Sequence, residues 1–288
     1  IPAINPYAFD NAKVYRGGYS SAQSGRVSGL VDISQGDSIP LASQKGIILN
    51  LTHVGVDFQT PITKKKLGIF VSIRRSITDI IPSITFNRLE DRVVQGTRIG
   101  DQREDEIIFQ EVNVFAFQDA SLKLVYKPNP QNQFGFSLIG LRNNLRYEAV
   151  QTEDDWIFID NLNNSQIGGS FQWIHNVHSR HQIQSSATLG RFKSEYDYER
   201  GLEEREISLE NIYILNEVED LRLQHQHTWN WTSSHQFQAG AEVMYLATNY
   251  IVEDTILGET GSGNSIEGGA WIHSLCLQHG NKPTPMWF

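Results

Sequence analysis

Residues 221–231 read Leu221-Arg222-Leu223-Gln224-His225-Gln226-His227-Thr228-Trp229-Asn230-Trp231. Leucine and tryptophan fall on odd positions and polar side chains on even ones, the period-2 signature of a β-strand with one apolar and one wet face. Outward from it the pattern recurs. Phe237, Ala239, Ala241, Val243, Tyr245 and Ala247 alternate with Gln236, Gln238 and Glu242; Ile167, Phe171, Trp173 and Val177 with Gln166, Ser170, Gln172 and Asn176. Phe134, Phe136 and Leu138, then Leu122, Leu124 and Tyr126, then Leu67, Ile69, Val71 and Ile73 continue it toward the N-terminus. Helical periodicity is hard to find, so the chain reads as all-β. In Ile47 to Phe58 the apolar parity switches from odd (Ile47, Leu49, Leu51) to even (Val54, Val56, Phe58), which predicts a β-bulge near His53.

Short polar turns separate some strands: Thr63 to Lys66, Pro128 to Asn132, His178 to His181, Thr232 to His235 and Lys282 to Pro285. Long connections, expected near 78–119, 148–164, 199–220 and 252–265, separate the others. Such alternation trims one end of a sheet and elaborates the other, as in transmembrane barrels. The aromatics beside the turns, Trp173, Trp229 and Trp231, match an interfacial girdle. On this reading the odd face of Leu221 to Trp231 meets lipid, and Arg222, Gln224, Gln226 and Thr228 face the lumen. Nine strands are expected from residue 46 onward, with Met286-Trp287-Phe288 opening a tenth.

With 288 residues, 33 acidic and 24 basic side chains, the net charge is −9, which argues against a nucleic-acid-binding domain. The longest apolar stretch, Leu67 to Ile73, is interrupted by Ser72 and falls far short of the ~20 residues of a spanning helix. A mean hydropathy of −0.36 reads as soluble for every architecture except the barrel, whose polar lumen masks its belt in the average. Cys276 is the single cysteine, which excludes an internal disulfide and a thiolate cluster. The chain opens at Ile1 without a leader and reads as a fragment, with any export signal expected upstream.

Residues 5–34, NPYAFDNAKVYRGGYSSAQSGRVSGLVDIS, stand outside the strand series. They resemble the end of the plug domain of TonB-dependent outer-membrane receptors, in which a strand carrying Arg-Gly leads through a glycine-rich turn into a strand ending in Asp/Asn-Ile. The matching positions are Arg16, Gly17, Gly18, Gly25, Arg26, Gly29, Asp32 and Ile33; Gln23-Ser24-Gly25 stands where members often carry Tyr-Gly-Gly. Residues 54–81, with the pair Arg74-Arg75, resemble the first barrel hairpin of the Bacteroidetes-type receptors. The resemblance implies residues 1–36 as the C-terminal part of a plug docked on the lumen face. It implies residues 37–288 as the N-terminal part of an antiparallel transmembrane β-barrel, about 9 to 10 strands of about 22. It further implies the outer membrane as location, and as partners the periplasmic TonB energy-transducing complex, outer-membrane lipid, a bulky scarce nutrient and a surface lipoprotein over the barrel. Iron-siderophore, cobalamin-like, oligosaccharide and peptide ligands all use this architecture.

Candidate chemistry is sparse. The neighbours Asp154-Asp155 and Glu203-Glu204 point to opposite sides of an extended chain, so neither pair makes a glycosidase dyad. His225-x-His227 has workable metal spacing without a third ligand, and Gly258 to Ser265 has Asn264 where a phosphate loop needs lysine. Glu199, Glu203, Glu204, Glu206, Glu210, Glu217, Glu219 and Asp220 crowd one expected loop. Tyr147, Trp156, Tyr196 and Tyr198, with Phe158 and Tyr213, lie near the loop bases, where aromatics stack on sugar or siderophore rings. These four are the substrate-binding candidates; no catalytic residue, cofactor or metal is expected. The competing reading is a soluble all-β carbohydrate-active enzyme or binding module.

Overall fold

The computed structural model describes residues 5, 8–9, 11–16, 29–63, 65–80, 108–151, 156–202, 207–256, 259–261 and 263–281. A small hairpin comes first, β1 (Asn11–Tyr15) against β2 (Leu30–Ser34). The main sheet follows: β3 (Gln44–Leu49), β4 (His53–Thr63), β5 (Leu67–Ser76), β6 (Ile108–Tyr126), β7 (Asn132–Gln151), β8 (Trp156–His178), β9 (His181–Leu202), β10 (Ile207–Asn230), β11 (His235–Ile256), β12 (Glu259–Thr260) and β13 (Asn264–Asn281). Each strand pairs antiparallel with its sequence neighbour, except that β13 pairs with β11 past the two-residue β12. Eleven strands less β12 leave ten main-sheet strands among the described residues.

Two sequence expectations are corrected. The phase change in Ile47 to Phe58 is a hairpin, not a bulge: Asn50 Oδ1 accepts from the backbone N–H of Thr52 (2.9 Å) and of His53 (2.8 Å), closing a turn between β3 and β4. That turn raises the expected nine strands to ten. The connections expected at 78–119, 148–164, 199–220 and 252–265 are also shorter than read. Strands β7 to β11 run 20 to 24 residues each, so Glu199, Glu210, Glu217, Glu219 and Asp220 are strand residues rather than one loop. Asp154, Asp155, Glu203, Glu204, Glu206 and Met286 to Phe288 lie outside the described residues.

Register fixes the two faces. One rung runs Phe136–Phe171–Ala187–Leu223–Val243 and the next, one residue along, Gly135–Gln172–Ser186–Gln224–Glu242. Because side chains alternate, the first rung belongs wholly to the apolar face and the second wholly to the polar one. Along β10 the apolar face extends from Trp229 to Leu221, about 25 Å at ~3.3 Å per residue. Beyond Leu221 it turns abruptly charged, with Arg191 paired to Glu217 and Glu219 and Lys193 to Glu195.

The N-terminal segment covers the polar face. Asn5 Nδ2 donates to Ser72 Oγ (2.7 Å), which donates to Asp57 Oδ1 (2.5 Å), and Lys123 Nζ donates to Gln35 O and Asp37 Oδ1 (2.6 Å each). Gly68 lies where residues 39–40 press on β5: a Cβ there would sit 2.6 Å from Pro40 Cδ. The apolar face carries no such cover among the described residues, and Leu223 (52% exposed), Trp271 (60%), Leu277 (80%) and Leu275 (89%) stand open on it.

Candidate functional site

At the end away from the short turns, the even residues of β8 and β9 and the odd residues of β7 share the polar, covered face. There they bring together Tyr147, Trp156, Phe158, Asp160, Tyr196, Tyr198 and Arg200. Tyr147 pairs across to Asp160 and Asp160 to Tyr198. Tyr196 Oη donates to Asp160 Oδ1 at 2.6 Å, and Asp160 is 2% exposed. The Arg200 guanidinium carbon sits 4.2 Å from the centroid of the Trp156 ring and 5.5 Å from that of Phe158, a cation held over two π-faces. Phe158 and Tyr147 are buried, while Trp156, Tyr196 and Tyr198 are half-buried.

All four substrate-binding candidates therefore lie on one face at the same end of the sheet, with Trp156 four residues along β8 from the Tyr147–Asp160–Tyr198 rung. Tyr213 does not join them; its register puts it on the opposite face, where its hydroxyl donates to Glu195 Oε1 at 3.3 Å. The Lys193 ammonium, 2.7 Å from that carboxylate, holds Glu195 below the usual carboxylate range in the part of β9 beyond the apolar belt. Arg200 and Asp160 were missed as site residues. The signal was their parity: Asp160 follows Trp156 and Phe158, and Arg200 follows Tyr196 and Tyr198, at steps of two. Chemically the cluster offers aromatic faces for a planar or cyclic ligand, phenolic donors, one carboxylate and one guanidinium.

A cavity of about 530 Å³ lies between the N-terminal segment and the sheet, lined by Phe9, Ile33, Asp37, Lys123, Gln172 and Gln224 among others. Among the plug-motif positions, Arg16 directly follows β1 and is exposed, Gly29 directly precedes β2, and Asp32 pairs with Lys13 across the hairpin. Gly17, Gly18, Gly25 and Arg26 lie outside the described residues.

His225 and His227 face outward on β10. Ser185 Oγ lies 2.8 Å from His225 Nδ1, His227 Nε2 lies 3.1 Å from His225 Nε2, and His181 Nε2 lies 3.1 Å from His227 Nδ1. This chain of hydrogen bonds satisfies imidazoles on an apolar face. No group of three or more His, Cys, Asp or Glu among the described residues could hold a metal ion.

No family model matches the chain, and no curated protein matches it. By fold it superposes on the ferric yersiniabactin uptake receptor FyuA from Yersinia pestis with a TM-score of 0.55 and 10% identity, over 84% of this chain and 39% of that one. The likeness is one of fold, an antiparallel β-barrel sheet. The ferric citrate transporter FecA in its unliganded form matches at a TM-score of 0.48 and 9% identity, over 95% of this chain and 47% of that one. The chain thus spans about two fifths of the length of the yersiniabactin receptor. No helix among the described residues is long and apolar enough to cross a membrane, which says nothing of a β-barrel.

Proposed function

We propose that the chain is part of a TonB-dependent outer-membrane receptor of the Bacteroidetes type, which takes up a bulky scarce nutrient with energy from the periplasmic transducing complex. Residues 1–36 are the C-terminal part of the plug and 37–288 the N-terminal part of the barrel. The observation that carries the reading is an inversion of faces. A soluble protein buries its apolar face under the rest of its chain. Here the chain's own N-terminal segment covers the polar face, and leucines and tryptophans such as Leu223, Trp229 and Trp271 look outward. That arrangement needs a lipid solvent, and it weighs against the soluble carbohydrate-active alternative.

The roles follow from position. The Tyr147, Trp156, Tyr196 and Tyr198 cluster, with Asp160 and Arg200, receives the nutrient at the outer end of the lumen. Polar contacts such as Asn5 to Ser72 and Lys123 to the Gln35 carbonyl hold the plug segment while leaving it separable, because each is a hydrogen bond rather than a packed core. Pulling on the plug from below releases ligand inward. A surface lipoprotein at the loop end is a further partner of this receptor type.

The test is uptake in strains lacking the full-length gene, the transducer, or both. Loss of growth on one scarce nutrient in each single deletion, with no further loss in the double, is the expected result. Uptake that persists at wild-type level without the transducer would reduce the protein to a passive channel.

A further inference from the structure

The short-turn end of the sheet has a charge character that the uptake reading does not use. No Asp or Glu occurs between Asp160 and Glu195, or between Asp220 and Glu242, the stretches that form the β8–β9 and β10–β11 hairpin ends. Arg180 lies in the first turn, and six of the nine histidines, His175, His178, His181, His225, His227 and His235, fall within these stretches.

The two turns are joined, Asn230 N donating to Arg180 O at 2.8 Å. Between them lies an outward-facing groove of about 520 Å³ lined by His178, Arg180, Trp229, Asn230, Trp231 and Phe237. Its floor and wall are aromatic: Trp231 stands 5.6 Å from Phe237, and His181 stacks on Trp229 at 4.8 Å, centroid to centroid. His178 and Arg180 are exposed at its mouth, the Arg180 backbone N–H bonded to His178 Nδ1 (3.2 Å). The Arg180 guanidinium has no carboxylate partner among the described residues.

We propose that this groove seats the headgroup of an anionic phospholipid from the leaflet at the short-turn side, with the phosphate on Arg180 and His178 and the glycerol and upper acyl carbons against Trp229, Trp231 and Phe237. The occupant follows from charge and depth. A planar guanidinium without a carboxylate, in a region devoid of acid, is complementary to a phosphodiester. The tryptophans mark the interface level at which headgroups lie, and basic groups there attract anionic lipid. The inference rests on the membrane-barrel reading and is independent of energised transport.

Full-length protein in mild detergent, offered equal amounts of phosphatidylglycerol and phosphatidylcholine, is read by native mass spectrometry. Retained phosphatidylglycerol is expected to exceed phosphatidylcholine. Arg180→Gln should lower that preference about tenfold, the worth of one charge-assisted hydrogen bond. Lys127→Gln, the same charge change in the β6–β7 turn, should leave it intact. Trp231→Ala, at an exposed position whose loss the fold tolerates, should reduce retention of both lipids and keep the preference. Equal retention of the two lipids by the wild type, or an equal loss of preference from Lys127→Gln, overturns the proposal. Uptake assays do not enter, so its failure leaves the transport reading standing.

Discussion

Arg74 and Arg75 are adjacent in sequence and opposite in environment. Arg74 points to the covered face, 1% exposed, its Nε donating to Asp119 Oδ2 at 2.6 Å and its guanidinium carbon 4.8 Å from the Phe117 ring centroid. Arg75 points outward and pairs with Asp79 at 2.8 Å, half exposed. Removing one member of a buried pair strands a charge away from water, whereas breaking an exposed pair costs little. Asp119→Ala is therefore expected to destabilise the folded barrel by about 3 to 5 kcal/mol and Asp79→Ala by under about 1 kcal/mol, read from urea unfolding in lipid vesicles. A double change, Arg74→Met with Asp119→Leu, should recover most of the first loss. Parity alone distinguishes the two arginines in the sequence, but the partner of Arg74 stands 45 residues away across a register that only the folded sheet reveals. The turn at His53 is the opposite case. Asn50, a turn-former with its side chain two and three residues from the N–H groups it accepts from, was a local and legible signal for a hairpin.

Strands β7 to β11 are longer than an apolar belt requires, and that excess explains why the sequence showed their outer halves as loops. Within the belt one face is apolar, so alternation is visible. Beyond it, both faces meet polar surroundings, and Glu195, Asp197, Glu199, Glu217 and Glu219 on the outer face erase the pattern while the ladder continues unbroken. The inner-face parity of Trp156, Phe158, Tyr196 and Tyr198 persists through this region, which is why the aromatic candidates were legible, while their companions Asp160 and Arg200 fall inside the connections expected at 148–164 and 199–220. The facing predicts which tryptophans touch lipid. In vesicles of brominated lipid, Trp173, Trp229 and Trp271, each kept as the single tryptophan of a variant, should be quenched strongly and Trp156 hardly at all. Strong quenching at Trp156 would place the aromatic cluster outside the lumen and remove it as a ligand site.

At the scale of the whole molecule, the sheet is arranged inside out relative to a soluble sandwich. Polar rungs such as Ser170–Thr188–Arg222–Met244, with only occasional apolar members, share the face on which the N-terminal segment sits, and leucine-rich rungs stand open on the other. The alternation made both faces readable in the sequence. Which face is covered follows from Asn5, Gln35 and Asp37 reaching Ser72 and Lys123 across intervals too long for any local signal. The measurement that bears most directly on this arrangement compares two neighbours on β10 in full-length protein reconstituted in bilayers. Leu223, inside the outer belt two residues from its charged edge, should tolerate arginine poorly, Leu223→Arg destabilising the barrel by ~1 to 3 kcal/mol, somewhat less than at the midplane. Gln224, one residue on and on the lumen side, should accept Gln224→Arg with little change. Comparable losses from both substitutions, or a larger loss at Gln224, would contradict the assignment of faces and with it the membrane-barrel account.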